Sequence, residues 1–238
     1  MQWEKEVLEW LPLLLGIILV GSDGGSWGDL GDLQSERIRF EEAEISLQRA
    51  LEFHKKALGS DHPDTLMSLN NLGNLLYYKA DYEGAEELYR QAIQGYEKAL
   101  GSDHPDTLMS LNNLGSLLSD KGDYEGAEEL CRRALEGYQK ALGSDHPSTL
   151  MSLNNLAFLL NKMSKTEEAV FLLKNAYSRS QISGDAVCYN LACYECLSGN
   201  SDEAKRLIAE HLKLHPEMKE QALQDSDFDT IKDYIETL

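Results

Sequence analysis

A stretch of 17 residues, ALGSDHPDTLMSLNNLG, constrains this chain more than any other feature because it recurs at a fixed spacing. It occupies residues 57–73, returns unchanged at 99–115, and returns at 141–157 with Ser148 and Ala157 in place of Asp and Gly. The copies lie 42 residues apart, with no insertion between them. Constant periods of about 20 to 50 residues are typical of stacked supersecondary units. The sequence therefore predicts a repeat architecture rather than one large core.

Hydrophobic periodicity predicts that each repeat is a pair of helices. From Pro63 onward, leucines recur every three or four positions, which describes one face of a helix. Proline suits the first helical turn because it has no amide hydrogen to lose there. A second helix is predicted from the turn at Ala80 and Asp81 as far as Leu100, where the GSDHP linker ends it. Each repeat is therefore predicted to be a helical hairpin, with a leading helix followed by a second helix.

Small residues are expected where two helices approach each other closely. Gly73 falls at the predicted crossing of the two helices of one hairpin, and Ala85 faces it from the second helix. Gly95 and Gly137 lie inside second helices, where glycine costs about 1 kcal/mol relative to alanine. We expect a close approach by the neighbouring hairpin to offset this cost.

This arrangement of large and small residues resembles the signature of the tetratricopeptide repeat. The matching positions in three successive copies are Leu69, Leu72, Gly73, Leu76, Ala85, Tyr89 and Ala92; Leu111, Leu114, Gly115, Leu118, Ala127, Cys131 and Ala134; and Leu153, Leu156, Ala157, Leu160, Ala169, Leu173 and Ala176. The resemblance implies an all-α fold, a right-handed α-solenoid of stacked antiparallel helix pairs. About five repeats are expected, at residues 23–57, 58–99, 100–141, 142–182 and 183–216, followed by a C-terminal capping helix at 217–238.

The first of these repeats is more diverged than the next three. One period before the second repeat, its matching positions are Trp27, Leu30, Gly31, Ala43, Leu47 and Ala50. At the position that asparagine takes in later copies the first repeat has Gly28. The first repeat therefore departs from the later copies at this position.

The repeat length narrows the resemblance further. A 42-residue unit with LGxDHPxT before each leading helix and LNNL within it resembles the repeats of kinesin light chains and of related bacterial-type arrays. The heptad coiled coil that precedes the repeats in kinesin light chains is not visible in this sequence. In that family the leading helices line a concave groove that holds peptide segments of partner proteins. The resemblance implies the same kind of groove here.

The resemblance also implies which side chains face that groove. They are Asn70, Asn74, Tyr77, Tyr78, Asn112, Ser116, Ser119, Asp120, Asn154, Phe158, Asn161 and Lys162. Asn70, Asn112 and Asn154 would form a row of amides, which can donate to and accept from the backbone of an extended peptide. Duplication would also copy a surface asparagine that has no role, so a structural interpretation stays open.

Two further sets of residues are ambiguous at the level of sequence. The second asparagines of the copies are expected to turn toward the neighbouring hairpin: Asn71, Asn113 and Asn155. The aromatic residues Tyr77, Tyr78 and Phe158 either anchor side chains of a partner, as aromatic residues at interfaces do, or pack half-buried.

The N-terminal segment, MQWEKEVLEWLPLLLGIILVG, contains an apolar run at residues 11–20. Its flank carries Glu4, Glu6 and Glu9 against Lys5, whereas a secretion signal starts with positive charge. A membrane-spanning helix needs about 20 apolar residues, more than this run supplies. We expect residues 1–22 to form a helix that caps the exposed apolar face of the first repeat. A weak membrane or secretion signal is the alternative.

Composition bears on the partner and the compartment. The chain has 41 acidic and 22 basic residues, a formal charge of −19, which repels nucleic-acid phosphates and anionic lipid headgroups. The expected partner is therefore a basic or amphipathic segment of another protein, and neither nucleic acid nor a membrane. Four cysteines, of which Cys188, Cys193 and Cys196 are close together, do not make a disulfide framework in a chain of this length. A reducing, cytoplasmic location is favoured.

The sequence carries no pattern for catalysis, a cofactor or a metal. It has no phosphate-binding glycine loop, GxSxG or HExxH motif. His62, His104 and His146 are expected to belong to the turns before the prolines, since stacked hairpins lie about 10 Å apart. The three late cysteines fall in a predicted helix, where cysteine acts as a small hydrophobe. Asp120 and Lys162 are the one titratable pair expected in the groove.

The predicted function is that of a non-catalytic scaffold or adaptor, which binds a peptide segment of a partner protein in the groove. The alternative is a structural or self-associating module, attached to a membrane through the apolar N-terminal segment, in which the groove is idle.

Overall fold

The computed structural model describes residues 30–179 and 186–238. Within these ranges the chain consists of helices joined by short turns and contains no strand. The helices belong to two compact units, one ending at Leu100 and the other beginning at Gly101. Within each unit consecutive helices pack against one another. The predicted all-α fold of stacked helix pairs is therefore confirmed.

The first unit contains three helices, α1 (Leu30–Leu58), α2 (Pro63–Tyr78) and α3 (Tyr82–Ala99). Its core joins all three, because Leu47 and Leu51 of α1 pack with the leucines of α2 and with Ala92 and Tyr96 of α3. Here α2 is a leading helix and α3 is its second helix.

The second unit continues the alternation of leading and second helices. Its leading helices are α4 (Pro105–Lys121), α6 (Pro147–Lys162) and α8 (Ala186–Leu197). The second helices that follow them are α5 (Tyr124–Leu142), α7 (Thr166–Arg179) and α9 (Ser201–Leu214).

The linkers before the leading helices use the same interactions in every copy. Gly59 has a φ of +94°, which glycine adopts without penalty, and its carbonyl accepts a hydrogen bond from the Thr65 hydroxyl at 2.7 Å. His62 caps the helix, because its Nδ1 accepts from the Asp64 amide at 3.2 Å. The equivalent residues are Gly101, Thr107 and His104, and Gly143, Thr149 and His146. The repeated histidines therefore belong to the turns, as predicted.

Each hairpin turns at a residue with positive φ, and the first predicted repeat lacks such a residue. Ala80, Gly122 and Ser164 have φ of +58°, +85° and +60°. One period earlier the sequence has Ile38, and a β-branched residue is a rare occupant of that conformation. Residues 30–58 accordingly form one uninterrupted helix, not the hairpin predicted for residues 23–57. The part of α1 that follows Ile38 takes the position of a second helix.

Gly73 leaves space for the other helix of its hairpin, as predicted, but the side chain that fills this space is Tyr89 and not the predicted Ala85. A Cβ atom at Gly73 would lie 2.8 Å from a ring carbon of Tyr89 on α3. The prediction for Gly95 was wrong in one respect. A Cβ atom there would lie 2.2 Å from Leu66, which belongs to the leading helix of the same hairpin and not to a neighbouring one. Leu66 therefore fills the space that a side chain at Gly95 would need.

The C-terminal segment differs from the single capping helix predicted at 217–238. It consists of a 3₁₀ turn (Pro216–Met218), α10 (Lys219–Gln224), a second 3₁₀ turn (Ser226–Ile231) and α11 (Lys232–Thr237). The break occurs at Asp225, whose backbone is extended and whose carboxylate accepts from the Tyr189 hydroxyl of α8 at 2.9 Å. Phe228, Ile231 and Ile235 are nevertheless buried. The segment therefore packs its apolar side chains on the last hairpin as a bent chain.

Several predictions concern residues outside the described ranges. These are the capping helix at 1–22, the start of the first repeat with Trp27 and Gly28, and the end of the fourth repeat beyond Arg179. Among the helices that are described, none combines the length and the apolar character that a membrane crossing requires.

The contact between Gly137 and Leu108 yields a stability prediction. Gly137→Ala places a Cβ atom 2.4 Å from Cδ2 and 3.2 Å from Cγ of Leu108, so the leucine must leave its packed position. We expect a net loss of about 1 to 2 kcal/mol in the free energy of unfolding, although alanine gains about 1 kcal/mol in helix propensity. Urea denaturation followed by circular dichroism measures this change.

A double-mutant cycle supplies the control. In a Leu108→Ala background the space is free, so Gly137→Ala is expected to become stabilising by about 0.5 to 1 kcal/mol. If Gly137→Ala has the same effect in both backgrounds, the contact with Leu108 does not explain the glycine.

Candidate functional site

The leading helices α4 and α6 lie side by side in the second unit, and two polar contacts join them. Near the middle of the helices, the Ser152 hydroxyl donates to Oδ1 of Asn112 at 3.1 Å in a buried position. At their C-terminal ends, Nζ of Lys162 forms an ion pair with Asp120 at 2.7 Å. The residues of these contacts are 40 and 42 positions apart, close to one repeat, and Asp120 and Lys162 hold the same position in successive copies. The sides of α4 and α6 that do not take part in these contacts therefore lie next to each other.

The accessible face of α6 is a narrow strip of four residues. Met151, Asn155, Phe158 and Lys162 are spaced by four, seven and eleven positions from the first, so they lie on one side of the helix. Met151 is 52% exposed and Phe158 is 53% exposed, Lys162 is exposed and Asn155 is half-buried. We call this set the α6 strip. It offers two apolar side chains, an amide and a cation on one line.

The neighbouring strip on α4 has the same spacing but a more polar character. It consists of Met109, Asn113, Ser116 and Asp120, of which the first three are half-buried and Asp120 is exposed. Nζ of Lys162 lies 4.7 Å from the centre of the Phe158 ring as well as pairing with Asp120. Lys162 therefore contacts both Phe158 on the α6 strip and Asp120 on the α4 strip.

The row of amides predicted for peptide binding is placed differently from expectation. Asn70 is 1% exposed and Asn112 is 3% exposed, so neither amide is accessible at the surface, while Asn154 is half-buried. Asn112 is enclosed because the next leading helix packs over it and donates to its oxygen through Ser152. The prediction that Asn70 and Asn112 face a groove was wrong. Asn70 lies in the first unit and the other two in the second.

The second asparagines, Asn71, Asn113 and Asn155, are half-buried, and Asn113 and Asn155 lie on the strips of α4 and α6. That they turn toward the neighbouring hairpin stays a prediction. The signal that identifies them is the spacing of the repeated methionine, since Met67, Met109 and Met151 stand four residues before them. An apolar residue that falls outside the leucine face marks the accessible side of each leading helix.

In the first unit the leading helix α2 carries tyrosines at its C-terminal end. Tyr78 is exposed and Tyr77 is half-buried, and their ring centres are 5.3 Å apart. Asn74 Oδ1 accepts a hydrogen bond from the Tyr89 hydroxyl at 2.7 Å. This bond joins the two helices of the hairpin. Burial raises the pKa of Tyr78, and burial together with the two neighbouring tyrosines raises that of Tyr89. These hydroxyls therefore stay protonated at neutral pH.

The remaining predicted site residues take structural roles. Ser119 is buried, and Asn161 accepts from the Thr166 hydroxyl at 2.8 Å across the turn of its own hairpin. Of the predicted groove residues, Ser116, Asp120, Phe158 and Lys162 are the ones that the structure places together on accessible strips of the second unit.

The cysteines act as buried apolar residues, as predicted. All four are buried thiols, and burial raises the pKa of Cys131 to about 11. Cys188 donates to the Leu207 carbonyl on α9 at 3.5 Å. Across residues 30–179 and 186–238, no group of three or more His, Cys, Asp or Glu side chains is arranged to hold a metal ion.

Comparison with known protein families agrees with this geometry. Family models described as tetratricopeptide repeat match residues 28–64, 65–106 and 106–181. Together these matches extend from residue 28 to residue 181, which is more than half of the chain.

The chain belongs to the tetratricopeptide-repeat family. The tetratricopeptide repeat is a protein-interaction fold, so this protein has the architecture of a protein-interaction scaffold.

Solved structures include similar tetratricopeptide-repeat arrays. Nearly identical TPR-like repeats of a kinesin-light-chain-like protein from Podospora anserina share 26% identity with a TM-score of 0.64, covering 79% of this chain and 93% of that one. BtubC (BKLC) from P. vanneervenii shares 21% identity with a TM-score of 0.65, covering 79% and 78%. The Rap conjugation gene regulator of plasmid pLS20, in complex with the Phr* peptide, shares 16% identity with a TM-score of 0.62, covering 82% and 55%. No curated protein sequence matches the chain.

The buried position of Asn112 in this tetratricopeptide-repeat protein yields a second stability prediction. Asn112→Ala removes the acceptor of the Ser152 hydroxyl and leaves space between α4 and α6. We expect the free energy of unfolding to fall by about 1 to 2 kcal/mol. The matched control is Asn155→Ala on the accessible strip, for which a change within about 0.5 kcal/mol is expected. Equal losses in the two variants, measured by urea denaturation, would contradict the placement of the two asparagines.

Proposed function

We propose that this chain is a non-catalytic scaffold that binds a segment of a partner protein along the accessible strips of α4 and α6. The observation that carries the proposal is the exposure of Met151 and Phe158, two helical turns apart on the same side of α6. A single exposed apolar side chain is ordinary on a protein surface, but two in line on a leading helix can anchor a ligand. Methionine adapts its shape to different partners because it is flexible and polarizable.

The polar residues beside these anchors suit a peptide ligand. Asn155 lies between Met151 and Phe158, and a half-buried amide can donate to and accept from a peptide backbone. The row of amides that we propose for this purpose therefore runs through the second asparagines, Asn113 and Asn155. Asp120 can exchange its ion pair with Lys162 for a cation of the ligand.

The expected ligand is basic or amphipathic. With 41 acidic and 22 basic residues, the chain attracts cationic segments at moderate ionic strength. Apolar side chains of the ligand would contact Met151 and Phe158, while its cations would lie toward Asp120. The Rap regulator, whose structure holds the Phr* peptide, shows that a fold of this kind occurs in a peptide complex. We place the protein in the cytoplasm, where its four thiols would stay reduced.

A peptide-display screen tests this proposal. A random peptide library is selected on the full chain, and dissociation constants of the enriched peptides are measured by fluorescence anisotropy. We expect net positive peptides whose affinity falls more than about tenfold with Phe158→Ala, as for an aromatic residue at the centre of an interface.

Phe171→Ala is the matched control, because Phe171 is 63% exposed on the second helix α7. Its effect on affinity is expected to stay within about twofold. A screen that yields no peptide dependent on Phe158, or peptides equally weakened by both substitutions, contradicts the proposal.

A further inference from the structure

The most exposed sulfur atoms in the described part of the chain belong to methionines that recur with the repeat. Met67, Met109 and Met151 stand at the same position of three successive copies, on the leading helices α2, α4 and α6. Met67 is 46% exposed and Met151 is 52% exposed, whereas Met109 is half-buried. Packing of the hairpin core does not explain a methionine at this position, because the core side of each leading helix is made of leucines.

The thiols, by contrast, are protected from oxidants. All four cysteines are buried. A thiol reacts with a hydroperoxide as its thiolate, and burial raises the pKa of Cys131 to about 11 and raises that of Cys193 as well. The thioether of methionine has no proton to lose, so its reaction depends on access. An oxidant therefore reaches the exposed methionines before the cysteines.

Met151 lies in the α6 strip, where its surroundings make oxidation consequential. Asn155 follows it by one helical turn and Phe158 by two, on the same side of the helix. Oxidation converts the apolar methionine side chain into a polar, chiral sulfoxide. The sulfoxide oxygen binds water, which an apolar side chain of a ligand must remove at a cost in free energy. The same oxygen can accept a hydrogen bond from the Asn155 amide and compete with a peptide backbone for it.

We propose that Met151 is a site of reversible oxidation that releases the ligand from the strips of α4 and α6. This regulation rests on the proposed function. A hydroperoxide transfers one oxygen atom to the Met151 sulfur, which loses two electrons, while the O–O bond breaks and the hydroperoxide is reduced to water or an alcohol. Methionine sulfoxide reductases restore the thioether and release the oxygen as water, at the expense of two thiols that form a disulfide.

Peptide mass spectrometry tests whether Met151 is such a site, without any ligand. The full chain is treated with hydrogen peroxide for increasing times, the peroxide is removed with catalase, and the oxygen added at each methionine is measured. We expect Met151 and Met67 to be oxidised faster than the half-buried methionines, Met109, Met163 and Met218. If Met151 is oxidised no faster than these three, the proposal is overturned.

A binding measurement tests the release of the ligand. The probe is a peptide from the display screen that contains neither methionine nor cysteine. We expect peroxide-treated protein to bind it more than about fivefold more weakly than untreated protein, and the two methionine sulfoxide reductases with dithiothreitol to restore the affinity. The far-UV circular dichroism is expected to stay unchanged, because Met151 is exposed.

Met151→Leu assigns the effect to one sulfur atom. Leucine is apolar and similar in volume to methionine but cannot be oxidised. The readout is the ratio of the affinities before and after peroxide, so each variant serves as its own reference. For Met151→Leu this ratio is expected to stay within about twofold of one. Met67→Leu is the matched control, because Met67 holds the same position in an earlier copy and lies outside the two strips. Its ratio is expected to equal that of the natural chain.

The outcomes separate this regulation from the proposed function. A loss of affinity that persists in Met151→Leu, or that Met67→Leu abolishes, overturns the regulation and leaves the proposed function standing. Sulfoxide at Met151 with unchanged affinity does the same. A screen that yields no ligand contradicts the proposed function itself, and the regulation with it.

Discussion

The fold depends on the close approach of two helices at positions without a large side chain. In the hairpin of α2 and α3, Gly73 admits the ring of Tyr89 and Gly95 admits Leu66. In the hairpin of α4 and α5, Gly115 admits Cys131 and Gly137 admits Leu108. Such contacts leave little tolerance, because overpacking a close crossing forces side chains out of their preferred rotamers. In the third copy, Ala157 and Leu173 stand at the positions of Gly73 and Tyr89, and both are fully buried. Each hairpin thereby obtains a defined separation between its helices.

The linkers set the residue at which each leading helix begins. A glycine with positive φ, a threonine that binds its carbonyl and a histidine that caps the following helix occur in all three copies, at Gly59, Gly101 and Gly143 and the residues after them. These local bonds set where each leading helix begins. In the second unit the buried bond from Ser152 to Asn112 and the ion pair of Lys162 with Asp120 then align the leading helices with one another. The accessible strips are a consequence of that alignment.

The candidate site shows how far sequence reasoning could reach. The structure brings Phe158, Asp120 and Lys162 together at the C-terminal ends of α4 and α6, and the family resemblance had named all three as groove residues. That they line a groove stays a prediction. Asn112 could not be placed from the sequence, since adjacent asparagines have the same hydropathy and differ by about 100° around the helix. Which of the two is buried depends on where the next leading helix packs. The same limit applies to Gly95, whose contact with its own hairpin could not be distinguished from contact with a neighbour.

The sequence by itself determined the repeat, its length, the two helices in each copy and the residues that start and end them, because these follow from local periodicity, capping and turn chemistry. The tertiary structure decided three features that local sequence signals do not encode. It made the first predicted hairpin one long helix, because Ile38 stands where a turn needs positive φ. It bent the C-terminal segment at Asp225, which binds Tyr189 from another helix. In the first two copies it also buried the first asparagine, at Asn70 and Asn112, and left the second half-buried. Burial is set by the packing of neighbouring helices and not by residue type.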